Sequence, residues 1–234
     1  MQEVSLKGVC DMHVHTNPDL RLRAYNDFEL AEAAIRVNAR AIVIKSHQGF
    51  TANRAYLANE YVKRVHGKNT GFTMYGSVTM NKAVGGINPS AVETALKLGA
   101  KVVWLPTQSA KNHLRKMGKD PSDGVDVVTG WKVVPQLLEV FRMVKDYDAV
   151  LGTAHVSPEE CFVVVEAARN VGVRKVGFKN VMVDTDGGQT ENPHWELALA
   201  EYIKYLADNG IPEEQIYHMT RTIPYGLLNI KEGE

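Results

Sequence analysis

Short apolar runs alternate with longer amphipathic stretches along most of the chain. The apolar runs are rich in β-branched side chains, which is typical of buried strands in a parallel sheet. They lie at about 9–15, 41–47, 73–80, 101–106, 149–155 and 175–183. Strands that alternate with helices predict an α/β fold in which helices cover a parallel sheet.

Helix start signals occupy the gaps between these runs. Asn26 and Glu29 form a capping-box pattern and predict a helix over 27–38. Three later starts place a capping side chain directly before a proline, which suits the first helical position. They are Asn88-Pro89, Ser157-Pro158 with a helix over 158–171, and Asn192-Pro193 with a helix that ends near 209–210.

The gap between the fourth and fifth predicted strands is longer than the others. Residues 109–131 are polar and rich in lysine, glycine and aspartate, so we interpret them as an excursion over the mouth of the sheet. A small hairpin is expected near Val125–Val134. No linker divides the chain, and its 234 residues suit one large α/β unit. We therefore predict a single domain over residues 1–234.

Composition excludes several classes of protein. Hydrophobic residues make up 44% and charged residues 23% of the chain, as in ordinary globular proteins. The net charge is zero, which argues against a nucleic-acid or membrane-surface partner, since both would require an excess of basic residues. The partner we expect is a small-molecule substrate, with no nucleic acid and no membrane.

The cysteines and the apolar segments indicate a cellular compartment. Cys10 and Cys161 each lie in an apolar segment and are typical of buried thiols rather than of a disulfide. The first residues contain no apolar signal region, and no apolar run is long enough to span a membrane. These features predict a cytoplasmic protein.

Two histidines one residue apart lie in the first apolar run. Asn17-Pro18 ends this run, so Val9–Thr16 is predicted to be a strand. Side chains alternate along a strand, and His13 and His15 therefore point to one face, about 6–7 Å apart. Two imidazoles so placed can reach one metal ion, and this is the interpretation we favour over two separately hydrogen-bonded histidines.

Polar side chains also close the other predicted strands. The second run ends in Lys45-Ser46-His47 and the fifth ends in His155. Ligands bind at the carboxyl ends of parallel strands, so we predict His47 and His155 as further ligands of one or two ions. Imidazole with carboxylate suits zinc best, with manganese or iron as alternatives. Asp11 or Asp184 is expected to orient a ligating histidine.

The remaining histidines are interpreted as surface or helix-end residues: His66, His113, His194 and His218.

Lys45 is unusual because a lysine between an isoleucine and the strand end is costly to bury without a partner or a function. It could bind a substrate anion, bridge two metal ions as a carbamate, or form a Schiff base if its pKa is depressed. Pairing with a nearby aspartate is the structural alternative. We expect Lys45 to act in the same pocket as His47, by its charge or as a carbamate.

The segment Asp11–Thr16, the capped helix after it and the strand 40–47 together resemble the opening of the PHP and amidohydrolase families. The resemblance extends over residues from about 8 to 229. Within these families the sequence is most similar to an uncharacterised branch of metal-dependent hydrolases. PHP proteins end their second strand in Thr-Asp-His, so only His47 matches there. His155 resembles a later metal ligand, and Asp186 resembles the aspartate that ends the last barrel strand.

This resemblance implies a TIM-barrel-like (β/α) barrel of six to eight strands, closed or incomplete. It also implies a hydrolase in which a metal activates water for attack on a carbonyl group (amide or lactone) or a phosphoester. Asp186 would be a metal ligand or the general base, and Lys45 would be the second catalytic residue. A Lys45 Schiff-base lyase or aldolase, and an inactive barrel that binds a metal or ligand, are the alternatives.

Two weaker patterns concern partners. The basic stretch from Lys111 to Lys119 could attract an anionic substrate or be a solvated loop. Aromatic and apolar residues in 195–205 recur at helical spacing, which indicates contacts in the core or between the subunits of a homo-oligomer.

Overall fold

A computed structural model describes residues 4–176 and 181–231. It is a mixed α/β structure. The strands are Cys10–His15 (β1), Ala41–Lys45 (β2), Thr73–Tyr75 (β3), Ser77–Thr79 (β4), Val102–Trp104 (β5), Val128–Thr129 (β6), Lys132–Val133 (β7) and Val150–Gly152 (β8). The α-helices are Asp27–Arg36 (α1), Ala52–His66 (α2), Pro89–Lys97 (α3), Lys111–Lys116 (α4), Pro135–Asp146 (α5), Pro158–Val171 (α6), Trp195–Asp208 (α7), Glu213–Tyr217 (α8) and Ile223–Leu228 (α9).

The chain divides into two compact units. The first comprises Met1–Lys45, Asn53–Tyr75 and Phe178–Glu234, and the second comprises Ser46–Ala52 and Gly76–Gly177. The prediction that they make one domain stays a prediction.

The first unit contains a parallel sheet in the order β1-β2-β3. Every residue of β2 is buried, as expected for a strand covered on both faces. The Asn26–Glu29 capping box is confirmed at the start of α1, because each side chain accepts a hydrogen bond from the backbone of the other residue. Leu30, Ile42 and Trp195 belong to the core of this unit.

The second unit contains another parallel sheet, in the order β4-β5-β8, with its own core around Val103, Phe141 and Val164. Ser157 and Glu160 form a capping box before α6. The predicted hairpin is confirmed, since β6 and β7 pair antiparallel. Across the described residues the sheets are parallel, apart from this hairpin, and do not close into a barrel.

Two boundaries differ from the sequence predictions. The run 73–80 is two strands in different units, with Gly76 between them. The helix expected after Asn192-Pro193 begins later, at Trp195, with His194 at the capping position and no side-chain hydrogen bond to the helix end.

The predicted strand 175–183 is not found in its described residues, and 177–180 lie outside them. The backbone groups at its two described ends have different partners. The carbonyl of Lys175 accepts from the N–H of Leu151 in β8, as a neighbouring strand would, whereas the N–H of Val183 donates to the carbonyl of Met219, a helical residue. A strand across the whole run stays a prediction.

The helices of the described ranges include none with both the length and the apolar character needed to cross a membrane.

In α7 the predicted apolar spacing has two outcomes. Trp195, Leu199 and Ile203 are buried in the core, whereas Tyr202 and Tyr205 are exposed. A role of the exposed tyrosines between subunits stays a prediction.

Candidate metal centre

Strand β1 brings His13 and His15 together, as their alternation in the sequence predicted. Their Nε2 atoms lie 3.3 Å apart and their ring centroids 5.2 Å apart. Both rings are largely removed from water, and burial lowers the pKa of each imidazole. Two neutral imidazoles therefore present neighbouring nitrogens at one point.

Asp186 supplies an oxygen at the same point from the far end of the chain. Its Oδ1 lies 3.0 Å from His13 Nε2 and 3.3 Å from His15 Nε2. Burial opposes ionisation of this carboxyl, but the hydrogen bonds from the two histidines outweigh it and hold its pKa well below the usual range. The carboxylate is 62% exposed and remains open to a ligand from solvent.

Backbone pairing holds the Asp186 segment against β1. The N–H of His15 donates to the carbonyl of Gly187, and the N–H of Ala24 donates to the carbonyl of Gly188. Gly188 has φ +102°, and a Cβ at this position would lie 1.9 Å from the carbonyl oxygen of His15. Only glycine fits this approach, so Gly188 fixes the distance between the Asp186 segment and the histidine strand.

Asp11 ties the same elements together from inside the unit. It is fully buried and accepts hydrogen bonds from Trp195 Nε1 at 2.8 Å and from Thr185 Oγ1 at 2.6 Å. It also accepts from the backbone N–H of His13 at 3.0 Å. The carboxylate therefore joins β1, the segment before Asp186 and the first residue of α7. These contacts orient the site through the main chain.

Asp184 is a second buried carboxyl beside Asp11. It accepts a hydrogen bond from the N–H of Met12 at 2.9 Å. Burial, and next the negative charge of Asp11, raise the pKa of Asp184 to about 7. Burial also raises the pKa of Asp11, against its several hydrogen bonds. The two carboxyls therefore hold the ligand-bearing segments together close to the donor atoms.

We expect Trp195→Phe to destabilise the protein by about 2 kcal/mol, because it removes one hydrogen bond to a buried carboxyl group and keeps most of the ring. The measurement is urea unfolding followed by circular dichroism. Trp131→Phe is the matched control, since Trp131 is 77% exposed and its loss should change stability by less than about 0.5 kcal/mol. Equal midpoints for the two variants would contradict the role given to Trp195.

Lys45 completes the group of side chains around His13. It is only 1% exposed, and its Nζ lies 3.0 Å from His13 Nε2. Burial lowers the pKa of Lys45 to about 8, although the charges of Asp186 and Asp184 act in the opposite direction. In the tautomer whose Nε2 donates to Asp186 this nitrogen cannot accept from Lys45; in the other tautomer its lone pair can accept from Lys45 or bind an ion, so metal binding and the Lys45 contact compete.

The donor set fits a transition metal. Ligand atoms about 2.0–2.1 Å from a tetrahedral zinc ion are about 3.3 Å from one another. The three separations among His13 Nε2, His15 Nε2 and Asp186 Oδ1 are 3.3, 3.0 and 3.3 Å. Two neutral imidazoles and one ionised carboxylate are also the ligand types that zinc, manganese and iron accept.

The other two predicted ligands belong to the second unit. His47 Nδ1 contacts Thr107 Oγ1 at 2.8 Å, and His155 Nδ1 contacts His113 Nδ1 at 3.1 Å. Their participation in the centre formed by His13, His15 and Asp186, and the convergence of Lys45 with His47, stay predictions.

His113 was interpreted from the sequence as a surface or helix-end residue, and that interpretation is incomplete. Its ring stacks on His155, with centroids 5.0 Å apart. The signal missing from the sequence is the partner, which lies 42 residues away. His66 contacts the half-buried Glu32, His218 lies 3.8 Å from the exposed Glu214, and His194 contacts the hydroxyl of Tyr25.

The residues of this site lie within the part of the chain that matches a known family. Residues 8–194 match the model of a family of unknown function, DUF6282. The chain belongs to this family. The DUF6282 match includes His13, His15, Lys45 and Asp186, and it is not a match to the PHP family that the first two strands resemble.

Similarity to proteins outside the family model is weak or absent. No curated protein matches this DUF6282 chain. One solved structure that resembles it is an amidohydrolase from Pseudomonas aeruginosa, with 13% sequence identity over 97% of each chain and a TM-score of 0.46. At these values the similarity identifies neither the fold nor the activity of the DUF6282 chain.

Proposed function

We propose that this DUF6282 chain is a metal-dependent hydrolase, with His13, His15 and Asp186 as metal ligands. One observation carries the proposal. Two imidazole nitrogens and one carboxylate oxygen lie within 3.3 Å of one another at the end of a buried strand. Zinc is the first choice of metal, and manganese or iron are alternatives.

The metal, when bound, supplies a Lewis acid that lowers the pKa of water and polarises a carbonyl or phosphoryl oxygen. The protein residues hold and orient the reactants around it. The backbone pairing of Gly187 with His15 sets the position of Asp186, and the hydrogen bonds of Asp11 set the position of β1. Because Asp186 is ionised and more than half exposed, it can accept a hydrogen bond from a water molecule and orient it, and its lowered pKa favours the role of ligand over that of general base.

Lys45 gives the site its cation. Its ammonium lies beside His13 and is attracted by the carboxylates of Asp186 and Asp184. We propose that this charge binds an anionic group or a developing oxyanion of the substrate. The substrate is a small molecule with an amide, lactone or phosphoester bond, and the surrounding fold is TIM-barrel-like.

The test combines metal analysis with turnover. Untagged protein expressed in metal-supplemented medium is expected to retain at least one equivalent of zinc, manganese or iron by plasma mass spectrometry. It is also expected to hydrolyse at least one member of an amide, lactone and phosphoester panel. A chelator should remove this activity, and the same metal should restore it.

The other outcomes are informative. Absence of metal would refute the proposed centre. Bound metal without turnover across the panel would instead favour a ligand-binding protein. Borohydride trapping of a carbonyl compound on Lys45, unaffected by chelators, would overturn the hydrolase in favour of a Schiff-base lyase.

A further inference from the structure

Three imidazoles lie near one another in the second unit, and none of them belongs to the residues that carry the proposed function. His155 follows β8, His113 lies in α4, and His47 precedes α2. His113 Nδ1 and His155 Nδ1 are 3.1 Å apart, and the ring centroids of His47 and His155 are 6.3 Å apart. We refer to these residues as the three-histidine cluster.

The pair His113–His155 has nearly the same separations as the pair His13–His15, although its rings are inclined by 30° rather than 57°. Its nitrogens are 3.1 Å apart and its centroids 5.0 Å apart, against 3.3 Å and 5.2 Å in the first unit. Both nitrogen separations are close to the edge of a tetrahedral zinc site, about 3.3 Å. The ring centroids of His47 and His155 are about 1 Å farther apart than those of His113 and His155, so His47, together with its contact to Thr107, would have to shift toward the pair to bind the same ion.

The contact between two Nδ1 atoms favours a metal ion over an anion as the ligand. Nitrogens at this distance can share one hydrogen, or both lone pairs can point to a cation. An anion would require both rings to direct an N–H at it, which places two hydrogens between nitrogens only 3.1 Å apart. The arrangement therefore suits a cation that accepts neutral imidazole.

Neighbouring side chains hold the cluster in place. Thr107 Oγ1 contacts His47 Nδ1, so Nε2 is the nitrogen through which His47 could bind an ion. Asn81 in turn donates to Thr107 Oγ1 and to the carbonyl of His47. Asn112 donates to the carbonyl of His155 at 3.0 Å. A partner that fixes the ring through its other nitrogen, as Thr107 does for His47, is typical of metal-binding histidines.

We propose that His113 and His155 bind a second transition-metal ion through Nδ1, with His47 as the third ligand. The donors are all imidazole, which selects zinc, nickel or copper and disfavours manganese, since manganese prefers oxygen ligands. The first centre includes a carboxylate and should accept manganese more readily.

Metal stoichiometry of the untagged apo-protein tests this proposal by titration with zinc or manganese alone. We expect two equivalents of zinc and one of manganese for the wild type. His113→Asn should lose one equivalent of zinc and keep the manganese. Asp186→Asn should lose the manganese and keep one equivalent of zinc. His218→Asn, at an exposed helix position, is the matched control and should bind as the wild type does.

Two results would overturn the proposal. His113→Asn with two equivalents of zinc would show that His113 is not a ligand. A single equivalent in the wild type, abolished equally by His113→Asn and Asp186→Asn, would place all these residues around one ion. If instead Asp186→Asn has no effect while His113→Asn removes zinc, the second centre stands and the first fails, so the two proposals are tested separately.

Discussion

Gly188→Ala is expected to remove metal binding at the first centre and to destabilise the protein by more than about 4 kcal/mol, or prevent its folding. The new methyl group would lie 1.9 Å from the carbonyl oxygen of His15, at a backbone φ of +102°. To relieve this contact the segment must move away from β1 and take Asp186 with it. Soluble yield, urea unfolding and zinc content are the measurements.

Gly210→Ala separates the steric effect from the backbone effect. Gly210 also has a positive φ, +85°, but a Cβ there would contact nothing within 4 Å among the described residues. Gly210→Ala should therefore lower the free energy of unfolding only by the cost of an alanine at positive φ, about 1–2 kcal/mol, and should leave the zinc content unchanged. If Gly188→Ala destabilised the protein no more than Gly210→Ala does, the contact inferred between residue 188 and the carbonyl of His15 would be refuted.

The second large effect concerns the ligands themselves. We expect His13→Ala and His15→Ala each to weaken zinc binding at the first centre by at least about 100-fold, since loss of an outer-shell partner alone costs about 10–100-fold. Hydrolysis, where detected for the wild type, should fall at least as far. Competition with a chromophoric chelator measures the affinity, and circular dichroism checks the fold.

His66→Ala is the control for this pair, because His66 contacts Glu32 on the surface of the first unit and lies in none of the proposed centres. It should bind zinc as the wild type does. Unchanged affinity in His13→Ala would remove that residue from the centre, and equal losses in all three variants would indicate a general effect on folding.

Local sequence patterns predicted the parts of the site that depend on local geometry. Alternation along one strand was enough to place His13 and His15 on one face, and the capping patterns at Asn26 and Ser157 were enough to fix two helix starts. Both inferences use contacts within a few residues, and both are confirmed.

Contacts between distant parts of the chain could not be predicted in this way. Asp186 was suggested only by a family resemblance, because no pattern near it reveals that Gly188 approaches His15. The partnership of Asp11 with Trp195 joins residues 184 positions apart. The contact of His113 with His155 was missed for the same reason. In the apolar run at 175–183, the carbonyl of Lys175 accepts from Leu151 of β8, but the N–H of Val183 donates to Met219, which lies in no predicted strand.

The residues of the first centre lie far apart in the sequence, so they are not all synthesised at the same time. The His13–His15 strand leaves the ribosome early, whereas Asp186 and the residues that clamp it follow only after most of the chain has been made. The nascent chain can thus present two imidazoles but not the complete donor set. An ion at the proposed centre would therefore be captured late, and it would add stability to the finished unit by binding only the folded chain.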